Sequence, residues 1–394
     1  MKLIRYGAVA AFALLSLPLF AQNTIDEVLR QIEINNAALQ ALRHETEAQK
    51  LENRSGITLD DPEVEFGYNW GSPASVTDKI ELSVTQSFDL SAVAGLKGKV
   101  AKERNKLADW QYRSERRQIL LEAKNLCLEL VYYNALEELL SAYRDQAGQL
   151  VAHQRKSLEH GNSNRLEYNN AVLRMAAVEG EYAQVETGRR TAIARLTAMN
   201  GGNRPEFNAT AYEALGMEDN FDDWFERASA ENPELQSAEQ SVVVQKKQLA
   251  LARSQWAPSL SLGYAGEFEG DESHHGIAVG LSLPLWANLH QVKQSKAAMQ
   301  AAQYREEDTR LQFRSTLEIL YRKTLGLKRV AEIYRASLNE SDNRSLLQKA
   351  LDEGNISVLD FLTEMELYYE AVRRTLEAEK DFRQAHAELS AFEL

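Results

Sequence analysis

The stretch from Ser259 to Leu285 constrains the fold more than any other. In its first arm Leu260, Leu262, Tyr264 and Phe268 alternate with small or polar residues. In its second arm Ile277, Val279, Leu281, Leu283 and Leu285 alternate with Ala278, Gly280 and Ser282. A period of two gathers all these apolar side chains on one face of a strand. The polar segment from Glu269 to His275 is expected to be the loop that joins the arms. Arms of roughly 10 residues match a tilted transmembrane strand. A half-buried hairpin in a water-soluble sheet has the same pattern, so one hairpin does not decide.

A second hairpin precedes it at 62–88. After Pro62, Val64, Phe66, Tyr68 and Trp70 alternate with Glu63, Glu65, Gly67 and Asn69. Gly71 to Asp78 is turn-rich, and Ile80, Leu82 and Val84 then alternate with Glu81, Ser83 and Thr85 on the way to Phe88. The prolines mark what lies between and beyond: none stands between Pro73 and Pro205, and none after Pro284. Both intervals are free of helix breakers and rich in Ala, Leu, Glu, Lys and Arg. A helix is expected over 91–160, where Ile119, Ala123, Leu126, Leu130 and Tyr133 step by four and three. The pattern skips at Glu137 and resumes with Leu140, Tyr143, Ala147 and Leu150. Such a helix is on the order of 100 Å long, which suits a coiled coil rather than a compact core. His160-Gly161-Asn162-Ser163 ends it, and a returning helix follows over 164–199. An N-terminal helix is expected from Thr24 to Arg54, with a second start between Asn36 and Leu39.

The second half repeats this order. Asn232, Leu235, Pro258, Gly263 and Tyr264 match Asn36, Leu39, Pro62, Gly67 and Tyr68, each offset by 196 residues, and Gly354-Asn355 matches Gly161-Asn162 at an offset of 193. The expected organisation is a first repeat at 22–202, a linker at 203–220 and a second repeat at 221–394. The second repeat holds the 258–286 hairpin and long helices over 288–353 and 357–394. In the last helix Val358, Leu362, Met365, Tyr369, Val372 and Leu376 form a heptad seam.

Residues 1–21 have the makeup of a secretory leader: Lys2 and Arg5, an apolar run from Gly7 to Leu17, and a cleavage site after Ala21. No cysteine follows the apolar run, so N-terminal lipid attachment is not expected. Losing Lys2 and Arg5 takes the net charge from −13 to −15, a balance that argues against a nucleic-acid partner. No later segment approaches 18 continuous apolar residues, so no helical membrane span is expected. The single cysteine, Cys127, lies in an apolar run and is expected in the core. No catalytic motif is present. The seven histidines include no H-E-x-x-H pair, and no nucleophile elbow or phosphate-binding glycine motif occurs. Asp271, Glu272, His274 and His275 are the one group with metal-ligand chemistry, read here as a solvated loop. No metal, cofactor or enzymatic activity is expected.

Two hairpins supply four strands, too few to close a barrel, and an open edge cannot sit in lipid because its backbone groups go unsatisfied. If these strands span a membrane, several copies must share one barrel. The expected lipid-facing set is Val64, Phe66, Tyr68, Trp70, Ile80, Leu82, Val84, Leu260, Leu262, Tyr264, Ile277, Val279, Leu281 and Leu283. Glu63, Glu65, Glu81, Thr85, Ser259, Ser261 and Ser282 would face a wet lumen. Trp70, Trp256 and Trp286 sit where interfacial tryptophan is expected.

With the duplicated hairpins and the paired segments Gly354-Asn355-Ile356-Ser357-Val358-Leu359-Asp360 and Gly161-Asn162-Ser163-Asn164-Arg165-Leu166-Glu167, the chain resembles the TolC-like outer membrane efflux proteins over residues 23–394. The resemblance implies a mixed fold, α with transmembrane β. It implies a homotrimer whose shared twelve-stranded β-barrel lies in outer membrane lipid and continues as a periplasmic α-helical barrel. It implies an exit duct without chemistry of its own, serving an inner membrane pump through a periplasmic adaptor protein. Gly161, Asn162, Leu166, Gly354, Asn355 and Leu359 match the tip positions that meet the adaptor; Glu167, Asp360 and Leu362 match the periplasmic gate. Ile356 stands where some members carry a gate-locking arginine and Thr363 where some have an aspartate, so closure is expected to rest on apolar contacts. The compact length, ending at Leu394 without the tail some members have, resembles the cation-efflux branch. A proton-driven pump of the RND type, exporting metal cations or small toxic compounds, is the expected partner. The alternatives are an outer membrane duct for type I protein secretion and a water-soluble periplasmic coiled-coil scaffold.

Overall fold

The computed structural model describes residues 24–73, 76–89, 95–217, 220–286, 288–340 and 343–394. The expected leader at 1–21 lies outside them. The N-terminal helical segment is two helices, α1 (Ile25–Asn35) and α2 (Ala37–Arg54). Thr24 caps α1, its hydroxyl accepting from Glu27 N–H at 3.3 Å. Asn36 makes the break: its own N–H closes α1 on Ile32 O at 2.8 Å, and its side chain accepts from Leu39 N–H at 2.9 Å to open α2. An asparagine that leaves the helical region and caps the next segment does this at little cost. Asn232 likewise separates α5 (Phe221–Glu231) from α6 (Pro233–Ser254) and caps the second of them. It accepts from Glu234 N–H at 2.9 Å and Leu235 N–H at 3.2 Å, with Pro233 at the first helical position.

The strands β1 (Glu63–Asn69), β2 (Lys79–Phe88), β3 (Ser259–Glu269) and β4 (Glu272–Ser282) form one antiparallel sheet in chain order. The expected loop at 269–275 is shorter than its polarity suggested. Only Gly270 and Asp271 lie between the strands, Gly270 with a positive φ of 55°. His274 and His275 therefore belong to β4, paired with Glu267 and Gly266. The register aligns the apolar residues across all four strands. Val64 pairs with Val84, Val84 with Tyr264, and Tyr264 with Ile277; Leu260 pairs with Phe88 on one side and Leu281 on the other. One face of the sheet is thus continuously apolar, because paired residues share a face.

The long helices are α3 (Leu96–Glu159), α4 (Arg165–Met199), α7 (Gln291–Glu340), α8 (Arg344–Asp352) and α9 (Val358–Leu389), the last followed by a 3-10 turn at Ala391–Glu393. With 64 residues, α3 is close to 100 Å long at about 1.5 Å per residue. The single helix expected over 288–353 is a correction: α7 stops at Glu340 and α8 starts at Arg344. Asn343 stands outside both helices, and an asparagine side chain competes for backbone hydrogen bonds. α3 packs along α4, α7 along α9, and α6 lies against both α3 and α7.

On α3 the seam read from the sequence is buried at Ala123, Leu126, Leu130, Leu140, Tyr143 and Ala147. At Glu137, where the pattern skips, a carboxylate meets Arg189 of α4 at 3.0 Å. Cys127 is fully buried in this core, and burial pushes its thiol up to about 12, which keeps it protonated and inert. The irregular segment after α4 is packed down rather than loose. Phe207 is buried, Asn134 donates to Ala209 O at 3.0 Å, and the Tyr212 hydroxyl donates to Leu128 O at 3.0 Å. No helix among the described residues is long and apolar enough to cross a membrane.

Candidate functional site

Two helical hairpins end in the same local chemistry. At the first tip α3 closes with Asn162 N–H donating to Ser157 O at 2.8 Å and Gly161 N–H to Leu158 O at 3.1 Å. This closure needs a left-handed residue, supplied by Gly161 at φ 75°. Asn164 caps α4 by accepting from Glu167 N–H at 2.9 Å, and Glu167 accepts in return from the Asn164 amide at 2.9 Å. The Ser163 hydroxyl lies 2.8 Å from Glu167 Oε2 and 2.8 Å from Oε1 of the buried Gln154.

At the second tip Gly354 has φ 74° and Asn355 N–H donates to Ala350 O at 2.8 Å. Ser357 and Asp360 form a reciprocal capping box on α9: Asp360 N–H donates to Ser357 Oγ at 3.1 Å, and Ser357 N–H to Asp360 Oδ2 at 3.2 Å. Glu167 and Asp360 are thus engaged at helix starts, where their charge also meets the positive end of the helix dipole. Leu166 and Leu359 are exposed, one apolar side chain at each tip. Leu362 is only 4% exposed and packs within the chain.

One polar contact between the two hairpins is carried by a residue with no motif around it. Arg174 of α4 donates to Leu362 O at 3.3 Å, reaches the Thr363 hydroxyl at 3.5 Å and forms an ion pair with Glu366, all on α9. Thr363 also donates to Leu359 O at 2.9 Å, which holds it against its own helix. Beside this contact Tyr143 of α3 stacks on Tyr369 of α9 with ring centroids 3.9 Å apart. Burial pushes the Tyr369 phenol up to about 12, so it stays neutral. The contact of α3 and α4 with α9 at this level is therefore charged as well as apolar. Tyr369 was visible in the heptad seam. The Arg174–Glu366 pair was not, because its partners stand far apart in sequence on polar helix faces.

In the sheet, Phe66, Trp70, Ile277 and Val279 are between 69% and 82% exposed, an unusual state for large apolar groups in one contiguous face. Tyr68, Leu82, Val84, Leu260, Leu262, Tyr264, Leu281 and Leu283 are exposed on the same sheet, and Ile80 is half-buried. Trp256 and Trp286 are exposed near its base. The opposite face carries Lys79, whose ammonium lies 2.7 Å from Glu81 and 3.2 Å from Glu267. β1 and β4 are each paired on one side only. The grouping of Asp271, Glu272, His274 and His275 is dispersed: the first lies in the turn and the others alternate along β4. His275 Nδ1 lies 2.9 Å from the Tyr264 hydroxyl. Among the described residues no group of three or more His, Cys, Asp or Glu is placed to hold a metal ion.

The family model of the outer membrane efflux protein matches residues 224–392. No curated protein matches the chain in sequence. Among solved structures, a membrane protein from Pseudomonas aeruginosa is 15% identical with a TM-score of 0.77, over 93% of this chain and 92% of that one. The outer membrane protein VceC from Vibrio cholerae is 14% identical with a TM-score of 0.71, over 93% and 95%. The outer membrane channel CmeC of Campylobacter jejuni is 14% identical with a TM-score of 0.70, over 93% and 83%. These likenesses carry the fold: a helical barrel with a small β-domain. Across its second half the chain matches the family model of the outer membrane efflux protein, and along nearly its whole length it shares the fold of solved outer membrane channels.

Proposed function

We propose that three copies of this chain pool their sheets into one twelve-stranded barrel and act as the passive exit duct of a tripartite efflux pump. The observation that carries this is the sheet itself: one apolar face runs across all four strands and both outer strands are unpaired on one side. Lipid rewards the apolar face, and only closure satisfies the open edges. A water-soluble scaffold would leave both in water. The duplicated halves then give each protomer two strands and one helical hairpin per repeat. A periplasmic adaptor would dock on the tips at Gly161, Asn162, Leu166, Gly354, Asn355 and Leu359, where a leucine is exposed beside each glycine turn. An RND-type inner membrane pump supplies the energy, and metal cations or small toxic compounds diffuse through.

In this reading the periplasmic end is held shut by Arg174 gripping α9, and adaptor engagement breaks that grip. Glu167 and Asp360 shape the tips through their caps. Deleting the gene in its native cell is expected to raise sensitivity to metal cations, dyes or drugs. If sensitivity to all three is unchanged while export of a polypeptide stops, the duct serves protein secretion instead. The latch is tested in planar bilayers, where Arg174→Gln is expected to raise the conductance of the purified trimer several-fold. An unchanged conductance removes Arg174 from the gate.

A further inference from the structure

The segment that follows α4 crosses α3 and α9 and encloses, together with the start of α1, a cavity of about 400 Å³. Much of its wall is apolar, contributed by Ile25, Leu128, Val131, Phe207, Ala209 and Leu215. Its charged groups are sorted by depth. Asp26, Glu213 and Glu393 are exposed, whereas Lys124, Arg383 and His386 are half-buried.

The two half-buried cations lack counter-charges in contact. Lys124 and Arg383 make no ion pair among the described residues. The Arg383 guanidinium rests over the Tyr212 ring at 5.4 Å, and its buried Nε has no hydrogen-bond partner. The charges of Glu379 and of the exposed Glu213 act on Arg383 without an ion pair to it, and Glu379 is paired with Arg335. Burial, with Lys124 and Arg383 beside it, pushes His386 down to about 4, so it adds no third charge near neutrality. A partly desolvated cation without a partner is costly, and an anion entering the cavity would offset that cost. The volume and the mixture of apolar wall with a few convergent polar groups are those of a small-molecule site.

We propose that this cavity binds a small organic anion with an apolar body, such as an aryl or short alkyl carboxylate. Its charge sits between Lys124 and Arg383 and its apolar part lies against Leu128, Val131 and Phe207. Because α1, α3, α9 and the connecting segment all line the cavity, the ligand clips the connection between the two halves onto both long hairpins. The inference stands apart from the export role and does not depend on the cargo.

The test is a fluorine NMR titration of the intact, purified protein in detergent with 4-fluorophenylacetate, against 4-fluorobenzyl alcohol as the uncharged control. Saturable binding of the anion is expected, with the alcohol about tenfold weaker or worse. Arg383→Gln and Lys124→Gln are each expected to weaken anion binding about tenfold. Ala211→Trp, at an exposed position of the lining, is expected to block it, and serves if either charge variant fails to fold. Equal binding of the alcohol overturns the proposal. So does wild-type affinity in the folded variants, or the absence of saturation up to about 10 mM.

Discussion

Gly161 and Gly354 each hold a left-handed turn at a hairpin tip, with open space where a Cβ would stand. Alanine there meets only backbone strain, so Gly161→Ala and Gly354→Ala are each expected to cost about 1 kcal/mol, read as a small drop in the thermal midpoint. Gly201 also has a positive φ, but a Cβ there would stand 2.6 Å from Asn35 O. Gly201→Ala is therefore expected to lower the midpoint more than either tip variant. His386 gives the chain an acid sensitivity. Its folded pKa of about 4 lies below the usual histidine value, so the unfolded chain binds the proton first as pH falls. Stability is expected to be full above about pH 6.5 and to decline towards pH 4, with a smaller decline in His386→Asn, measured by unfolding across that range. At this scale the sequence was legible where a residue's role is local. Gly161, Asn162 and Asp360 announce turns and caps within a few positions. Arg174 announces nothing, because its partners lie on another helix and its own neighbours look like any solvated surface.

Strand pattern and pairing decide what each face of the sheet tolerates. Ile277→Lys and Phe66→Arg put a charge on the apolar face and are expected to cost about 2–4 kcal/mol near a bilayer midplane. Glu65→Lys, on the other face, is expected to leave assembly intact. The fraction of chain recovered as detergent-extracted oligomer from outer membranes separates the two cases. Both hairpins were legible because period-two alternation is a property of the strand alone. The outer end of β4 was not. Glu272, Ser273 and His274 are polar and turn-like by composition, yet they extend the strand because Glu269, Phe268 and Glu267 opposite them continue the ladder. The same competition hid the end of α7. Strong helix formers on both sides of Asn343 outweigh one weak one in any reading of propensity. The restart at Asn36 was legible because an asparagine followed by a fresh helical pattern is a capping signal.

For the whole molecule, the order of elements and the long helices followed from proline placement and the offset between the halves. The proposed closing of the barrel follows only from adding lipid as the solvent. A chain with two half-paired outer strands has a further property. No single copy can enter the bilayer and wait there for others, since each bare strand would face hydrocarbon with its amides unmet. For the proposed barrel, insertion must then be a collective act, with kinetic order above one in chain. At low expression the inserted amount is expected to climb more steeply than the amount exported, and a slow trickle of chains would leave most of them stranded in the periplasm.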